Sequence, residues 1–576
     1  MKLVASRLIV AGLFVLMMAA VVRAAPSEPV VRLVADQIED LLGRATQEQV
    51  FLGDAWLPLF DQVRQFYQER DFAAVWFGES HSAEQASVLM QFLRAAEEDG
   101  LHSQGYHLGL IEQLRSQVDD YGYHEVLFDS LAVAQLDLLL SHAFVLHASR
   151  LSVGQVDPNE LYAGEWRARL RRTDVVAALN MAVQSGDVAG VLHDLAPAGS
   201  EYLHLREELQ RYRLIQRVGG WPRVPEGEIL RRGGTDPRVA VLRQRLWMSG
   251  DLVAPDAEYP QLYQGDIVAA VVRFQRRHGL SPDGAVGPKT LAELNRSVEE
   301  RIRQMELNLE RRRWLPEDLG SRHIIVNIAD FSLQVVEQGR VVMHMPVVVG
   351  TTRRKTPVFS GRMTYLEFAP YWGVPPTILQ QDKLPRIRAD RGYLDANHYE
   401  IIPWRGPSRD PIHPSEIDWQ RATARTFPGL LRQRPGPWNP LGQVKFMFPN
   451  DLDIYLHDSP DRHLFNRRER TFSSGCIRVE RAADLAQYLL EDQPAWDCDR
   501  LHRALNASEP KQVTLRRPIA VHLVYFTAWV DNHGVVQFRS DPYQRDNVLA
   551  VALDQQRNLS VQTASFKHTA EGDVGN

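Results

Sequence analysis

Apolar residues recur at helical spacing through roughly the first 230 positions. Residues 131–151 read LAVAQLDLLLSHAFVLHASRL, a long apolar run without Gly or Pro. VLMQFLRAAEEDGL, 88–101, spaces its apolar positions by three and four and stops at Gly100. Strand-like alternation is scarce there. A smaller helical pattern occupies 235–295. Asp236-Pro237 reads as a helix start, and VAVLRQRLWMSG carries that helix to Gly250. A second helix opens near Asp266, with Ile267, Val271 and Phe274 on one face, and closes at His278-Gly279. Ser281-Pro282-Asp283-Gly284 is a turn, and Gly287-Pro288 opens a third helix. Residues 296–319 read as one connecting helix.

From His323 the period shortens to two. HIIVNIADFSLQVVEQGRVVMHMPVVVG alternates, is rich in Val and Ile, and has turn signals at Ala329-Asp330 and Gln338-Gly339-Arg340, which predicts a β-meander. Further strands are predicted at 361–368, 443–448, 452–457 and 518–528. Residues 375–440 interrupt the pattern with prolines and aromatics, including Trp404, Trp419 and Trp438. An irregular insertion of that length in a β domain is often a lid or binding loop. Apolar density fades from about 556, where a disordered tail is expected. The pattern predicts a multidomain α+β chain. A helical scaffold covers 25–230, a three-helix module 231–296, a connecting helix 297–320, a β-rich domain 321–555 and the tail 556–576.

Composition changes this picture in two places. Lys2 and Arg7 precede LIVAGLFVLMMAAVV, an apolar run of 15 residues followed by Val22-Arg23-Ala24. The run is shorter than the roughly 20 residues of a spanning helix. It predicts an export signal over 1–24, with an uncleaved inner-membrane anchor as the rival. Both put the folded part outside the cytoplasm, and no later segment reads as a membrane span. The net charge of -6 gives no basic face for nucleic acid. The short clusters Arg311-Arg312-Arg313 and Arg467-Arg468 read as solvated faces. His102, His107, His142 and His147 read as packing or surface residues.

Candidate chemistry concentrates in two segments. In DLDIYLHDSP, 451–460, Leu452, Ile454 and Leu456 alternate toward a core, so Asp453, Tyr455 and His457 face the other way. TFSSGCIRVE, 471–480, places Cys476 after Gly475 and before the alternating Ile477 and Val479. A thiol beside a glycine, an arginine and a helix start is expected to be electropositive, which favours thiolate. Its use as a nucleophile needs a base within reach, and His457 is the candidate. The other cysteine, Cys498, lies among acids in WDCDR, and both are read as free thiols. A metal site from Asp451, Asp453, His457, Asp458 and His463 lacks a recognised ligand pattern, so neither metal nor cofactor is expected.

The run IYLHDSP … SSGCIRV resembles the active-site signature of the YkuD-type L,D-transpeptidase catalytic domain. Most of that family carry His where Ser474 stands, a departure that matches the large scaffold-bearing YcbB-like subgroup. NLERRRWLP (308–316), APYWGVPPTILQQDKLP (369–385), DWQ (418–420) and RPGPWNPLGQVKFMFPN (434–450) resemble the same subgroup. FQRRHGLSPDGAVGPKTLAELN resembles the type 1 peptidoglycan-binding domain. The resemblance implies a periplasmic enzyme that joins peptidoglycan stems by 3→3 cross-links. Cys476 attacks the third residue of a tetrapeptide donor, and His457 takes the thiol proton.

It also implies residue roles. Backbone N–H groups around Gly475 and Cys476 bind the oxyanion. The Tyr455 carbonyl orients the imidazole while the Tyr455 side chain only packs. Ser474, Trp372 and Arg478 contact substrate, and Arg478 has the alternative of an ion pair with Glu480 or a neighbour. Residues 375–440 form the capping segment, carbapenems acylate the thiol, and other cell-wall synthases are partners. Two rivals stay open: hydrolysis at the same site, giving an L,D-carboxypeptidase, and a non-catalytic wall-binding scaffold.

Overall fold

The computed structural model describes residues 27–44, 51–52, 55–77, 80–121, 129–404 and 410–565. The predicted signal, 1–24, and the tail beyond 565 lie outside these residues. The chain has a helical N-terminal part, a three-helix module and a β-rich domain with a small folded insertion.

The β-rich domain is a barrel. Its strands are β1 (Arg322–Asn327), β2 (Ser332–Glu337), β3 (Arg340–Gly350), β4 (Val358–Phe368), β5 (Val444–Met447), β6 (Leu456–His457), β7 (Ile477–Val479) and β8 (Lys511–Val524). They pair in the order β5-β6-β7-β3-β2-β1-β8-β4, and β4 pairs back to β5, which closes the ring. Only β6–β7 and β8–β1 are parallel around that ring. Inward Val, Ile, Leu and Phe side chains fill it, and helix Ala482–Leu490 packs its apolar face against the same core. In β8 the register shifts between Thr514 and Ile519, around Pro518, which has no N–H to give to the ladder.

The alternation at 452–457 over-read the strand. Only Leu456–His457 is extended and paired. Upstream, the Asn450 side chain accepts the N–H groups of Leu452 and Ile454 and donates to the carbonyls of Phe448 and Ile454. That side chain substitutes for a ladder and folds 450–454 into a turn. The strand predicted at 518–528 begins instead at Lys511 and ends at Val524.

The insertion is not irregular. Val374, Ile378, Leu384, Ile387, Leu394, Ile401, Trp419 and Leu431 form its own core under a three-stranded sheet. Its first helical segment includes a π-turn at Leu379–Lys383.

The predicted connecting helix is a central core element. Ser297 and Glu300 cap its start reciprocally, and Val298–Arg313 then packs against helix Ser200–Arg217, strand Ala528–Val530 and the barrel. Its arginines are not solvated. Arg311 pairs with Asp546 at 2.5 Å, and Arg313 pairs with Glu310 and accompanies the Tyr202 hydroxyl, each at 2.9 Å. Arg312 lies over the Phe526 ring. These contacts offset the desolvation that would otherwise exclude charge from a core. Arg468 is likewise engaged: its guanidinium donates to the Gly279 carbonyl at 2.8 and 2.6 Å, and so joins the three-helix module to the barrel. Arg539 donates to the Arg277 carbonyl at 3.0 Å, and His278 stacks on Phe538.

The helical part also lends a strand to the barrel sheet, because Trp166–Arg167 runs parallel to Val358–Phe359 of β4. Helix Ser130–Val153 is long and apolar enough to span a membrane, contrary to the expectation for later segments, but it is mostly buried as the core of the helical part. His142 and His147 belong to that core and bond to the Pro58 carbonyl and the Tyr106 hydroxyl. The helix starting at Arg545 continues to Ser565, so the stretch 556–565 is helical rather than disordered.

Candidate active site

Strand pairing sets the site. His457 of β6 lies opposite Lys445 of β5 on one side and Arg478 of β7 on the other. Lys445 in turn lies opposite Glu367 of β4. Directly paired residues share a face, so Glu367, Lys445, His457 and Arg478 form one polar row. Tyr455 and Cys476 each precede the paired couple Leu456–Ile477 by one residue and so fall on the same face as the row. Cys476 and His457 are thus diagonal neighbours on adjacent strands, a separation of about 7–8 Å between backbones that an imidazole spans.

The thiol and imidazole do not hydrogen-bond to each other in this structure. Cys476 Sγ approaches the Asp453 carbonyl at 3.6 Å. His457 Nδ1 bonds to the Asp458 carbonyl at 2.6 Å. The expected holder, the Tyr455 carbonyl, instead accepts the Ile477 N–H at 3.1 Å as a ladder bond. Nor does the Tyr455 side chain only pack. Tyr455 is the residue that most favours the thiolate of Cys476, and the Lys445 ammonium sits 4.1 Å from its ring centre.

Electrostatics run against a resting ion pair. Burial pushes the thiol pKa up, while Tyr455 and then Lys445 pull it back. The expected thiolate-favouring setting is therefore outweighed by desolvation. Burial, then the Arg478 and Lys445 cations, push His457 down to about 3. Both groups rest neutral at pH 7. Burial also lowers Lys445 and raises Tyr455.

The nucleophile turn depends on backbone geometry. Gly475 has φ 121°, a conformation side chains rarely adopt, although a Cβ there would meet nothing closer than 3.5 Å. Its N–H donates to Ser473 Oγ at 3.1 Å. Of the two amides expected to hold an oxyanion, Gly475 is thus already engaged. Its carbonyl accepts from Thr356 Oγ1 at 2.7 Å.

The remaining candidates scatter. Arg478 pairs with Asp461 at 2.8 Å, not with Glu480. Ser474 accepts from Arg354 at 3.0 Å. Trp372 belongs to the insertion, against Tyr399 and beneath the Lys383 ammonium. Cys476 and Cys498 are both free thiols, and no cluster of metal-ligating side chains occurs among the described residues.

Two residues went unnoticed in the sequence. Lys445 had a signal: in VKFMF, Val444 and Phe446 point to the core, so Lys445 faces the row by the same alternation that exposed His457. Arg354 had none, since it sits in a loop whose partners are distant in sequence.

A β-barrel domain that presents a free cysteine beside a histidine on paired strands defines the class. Within that class, residues 321–496 match the family described as L,D-transpeptidase catalytic domain. Residues 61–209 match "Scaffold domain" and residues 235–294 match "Putative peptidoglycan binding domain". Matches to a catalytic domain and to both companions thus fall on successive parts of the chain. It is 34% identical over 257 residues to "Putative L,D-transpeptidase" of Haemophilus influenzae, an alignment covering 44% of this chain and 51% of that one. The chain spans about half the length of that relative. Among solved structures, an L,D-transpeptidase of Xylanimonas cellulosilytica (residues 123–326) aligns at 18% identity over 52% of this chain and 98% of that chain, with a TM-score of 0.18. One from Stackebrandtia nassauensis aligns at 13% identity over 52% and 96%, with a TM-score of 0.20.

Proposed function

We propose that this chain joins peptidoglycan stem peptides by 3→3 cross-links through a thioester on Cys476. Cys476 Sγ attacks the carbonyl of the third residue of a tetrapeptide stem while His457 accepts the thiol proton. The developing oxyanion meets the Cys476 N–H. The C–N bond to the terminal D-Ala breaks, and the departing amine takes the proton from His457. A side-chain amine on the third residue of a second stem then attacks the thioester, His457 takes the amine's proton, the C–S bond breaks, and that proton returns to the leaving sulfur. Because both groups rest neutral, proton transfer accompanies attack rather than preceding it. Tyr455 and Lys445 stabilise the negative sulfur as it forms and as it leaves.

The observation that carries this reading is the same-face, diagonal placement of Cys476 and His457, with the imidazole held through Nδ1 by the Asp458 carbonyl. Hydrogen bonds between catalytic groups are commonly long before substrate binds. The same reading assigns 1–24 to export or anchoring and the reaction to the periplasm.

The test is the full chain with tetrapeptide muropeptides, products resolved by mass spectrometry. Cross-linked dimers are expected, with none from Cys476→Ala. Tripeptide alone would establish the hydrolytic alternative. A carbapenem that leaves Cys476 unmodified, with no dimers, would establish the non-catalytic one.

A further inference from the structure

The loop 351–356 joins three parts of the molecule at the nucleophile. Thr351 N–H donates to the Ser473 carbonyl at 3.0 Å, and Thr356 Oγ1 donates to the Gly475 carbonyl at 2.7 Å. Lys355 reaches Glu165 of the helical part at 3.1 Å. Between them Arg354 spreads its guanidinium from the nucleophile turn to the insertion. Nη1 donates to Ser474 Oγ at 3.0 Å and to Asp382 Oδ2 at 2.8 Å. Nη2 donates to Gln381 Oε1 at 2.6 Å and to Asp382 Oδ1 at 3.3 Å. Ser474 is two residues from Cys476, whereas Gln381 and Asp382 belong to the insertion. The π-turn at Leu379–Lys383 carries these last two, and such turns are rare and concentrate at functional sites.

We propose that Arg354 is the receptor for a carboxylate of the donor peptide, and that Asp382 occupies it until the donor arrives. This rests on the acyl-transfer reading for the identity of the donor. A tetrapeptide donor ends in a free carboxylate one residue beyond the carbonyl that Cys476 attacks, a step of about 3.8 Å. A planar guanidinium gripping Asp382 in a two-pronged fashion has the geometry to take another carboxylate in its place. The pair is partly open to solvent, with Arg354 28% and Asp382 41% exposed, so it holds weakly enough to be exchanged. Exchange would leave only the Gln381 bond between Arg354 and the insertion, so donor binding itself loosens the cap. Arg354 is a specificity residue for the leaving side of the donor, and Asp382 its internal stand-in.

Two measurements on the full chain test this. The first compares a tetrapeptide donor with its C-terminal amide. The wild type should show a lower KM for the free acid, and Arg354→Ala should raise KM for the acid alone and erase that preference, with Arg354→Lys in between. An equal fall in kcat for both donors would make Arg354 merely structural. The second needs no turnover: the ratio of Cys476 alkylation rates by iodoacetate and neutral iodoacetamide. Asp382→Asn, nearly the same shape, frees the guanidinium and should raise the ratio roughly threefold, the size of an exposed charge contact. Arg354→Ala should lower it. A ratio unchanged in both variants would overturn the proposal. Should the wild type turn over neither peptide, the transpeptidase reading fails, and the alkylation ratio still decides whether Arg354 receives anions.

Discussion

Burial raises the Cys476 thiol and lowers the His457 imidazole, and the two shifts together set a testable pH behaviour. His457, pushed to about 3, is already neutral at any pH where the protein would be assayed. Only the thiol titrates, and it does so above its ordinary range. Alkylation by iodoacetamide should therefore climb about tenfold per unit from pH 6 to 9. Stopped-flow or mass-spectrometric rates would check it, and a flat rate in acid would instead mark a thiolate–imidazolium pair. Lys445→Met removes a cation that favours the thiolate and should move the profile further to alkaline pH. At this scale Cys476 and His457 were legible because a short motif carries them. The Asp458 carbonyl that holds the ring, the Asp453 carbonyl beside the sulfur and Arg354 were not. Those contacts depend on a turn stapled by Asn450 and on pairings between strands, neither of which alternation encodes.

Among the elements, helix Val298–Arg313 separates what patterning reveals from what it hides. Its start is plain in Ser297-Val298-Glu299-Glu300, a reciprocal cap. Its burial is not, because charged residues at every turn imitate a solvent face. The partners that reverse this come from far along the chain: Asp546 for Arg311, a separation of 235 residues. Arg311 is fully buried and Asp546 is 19% exposed. Asp546→Asn keeps the shape and leaves a buried cation without its anion, at a cost of about 3–5 kcal/mol. Urea unfolding followed by tryptophan fluorescence would measure it, and a loss below about 1 kcal/mol would show that the Tyr525 ring and Thr527 suffice for Arg311. The insertion makes the converse case. Its prolines and aromatics looked like disorder of pattern, yet they build a separate small core whose spacing follows neither the helical nor the strand period.

For the whole molecule, the β-barrel does not complete its own core. Tyr162 and Trp166 from the helical part and Leu307 and Trp314 from the central helix lie in its core, and Trp166–Arg167 covers the start of β4. Residues 321–555 expressed alone should lack a cooperative thermal transition and elute as aggregate, because an open strand edge and a stripped core invite association. A monomer that melts sharply would refute this. The boundaries seen in the pattern of apolar residues mark changes of period, whereas the folding unit runs across them.

The grip of Arg468 and Arg539 on the carbonyls of Gly279 and Arg277 has a mechanical corollary. A wall-binding module on a slack tether samples any strand within reach of its catalytic partner. On the proposed reading, one bolted to the barrel holds a set interval between where it clings and where it welds. The chain would then work as a gauge, and the spacing of the joints it leaves in the wall would record the dimensions of the protein.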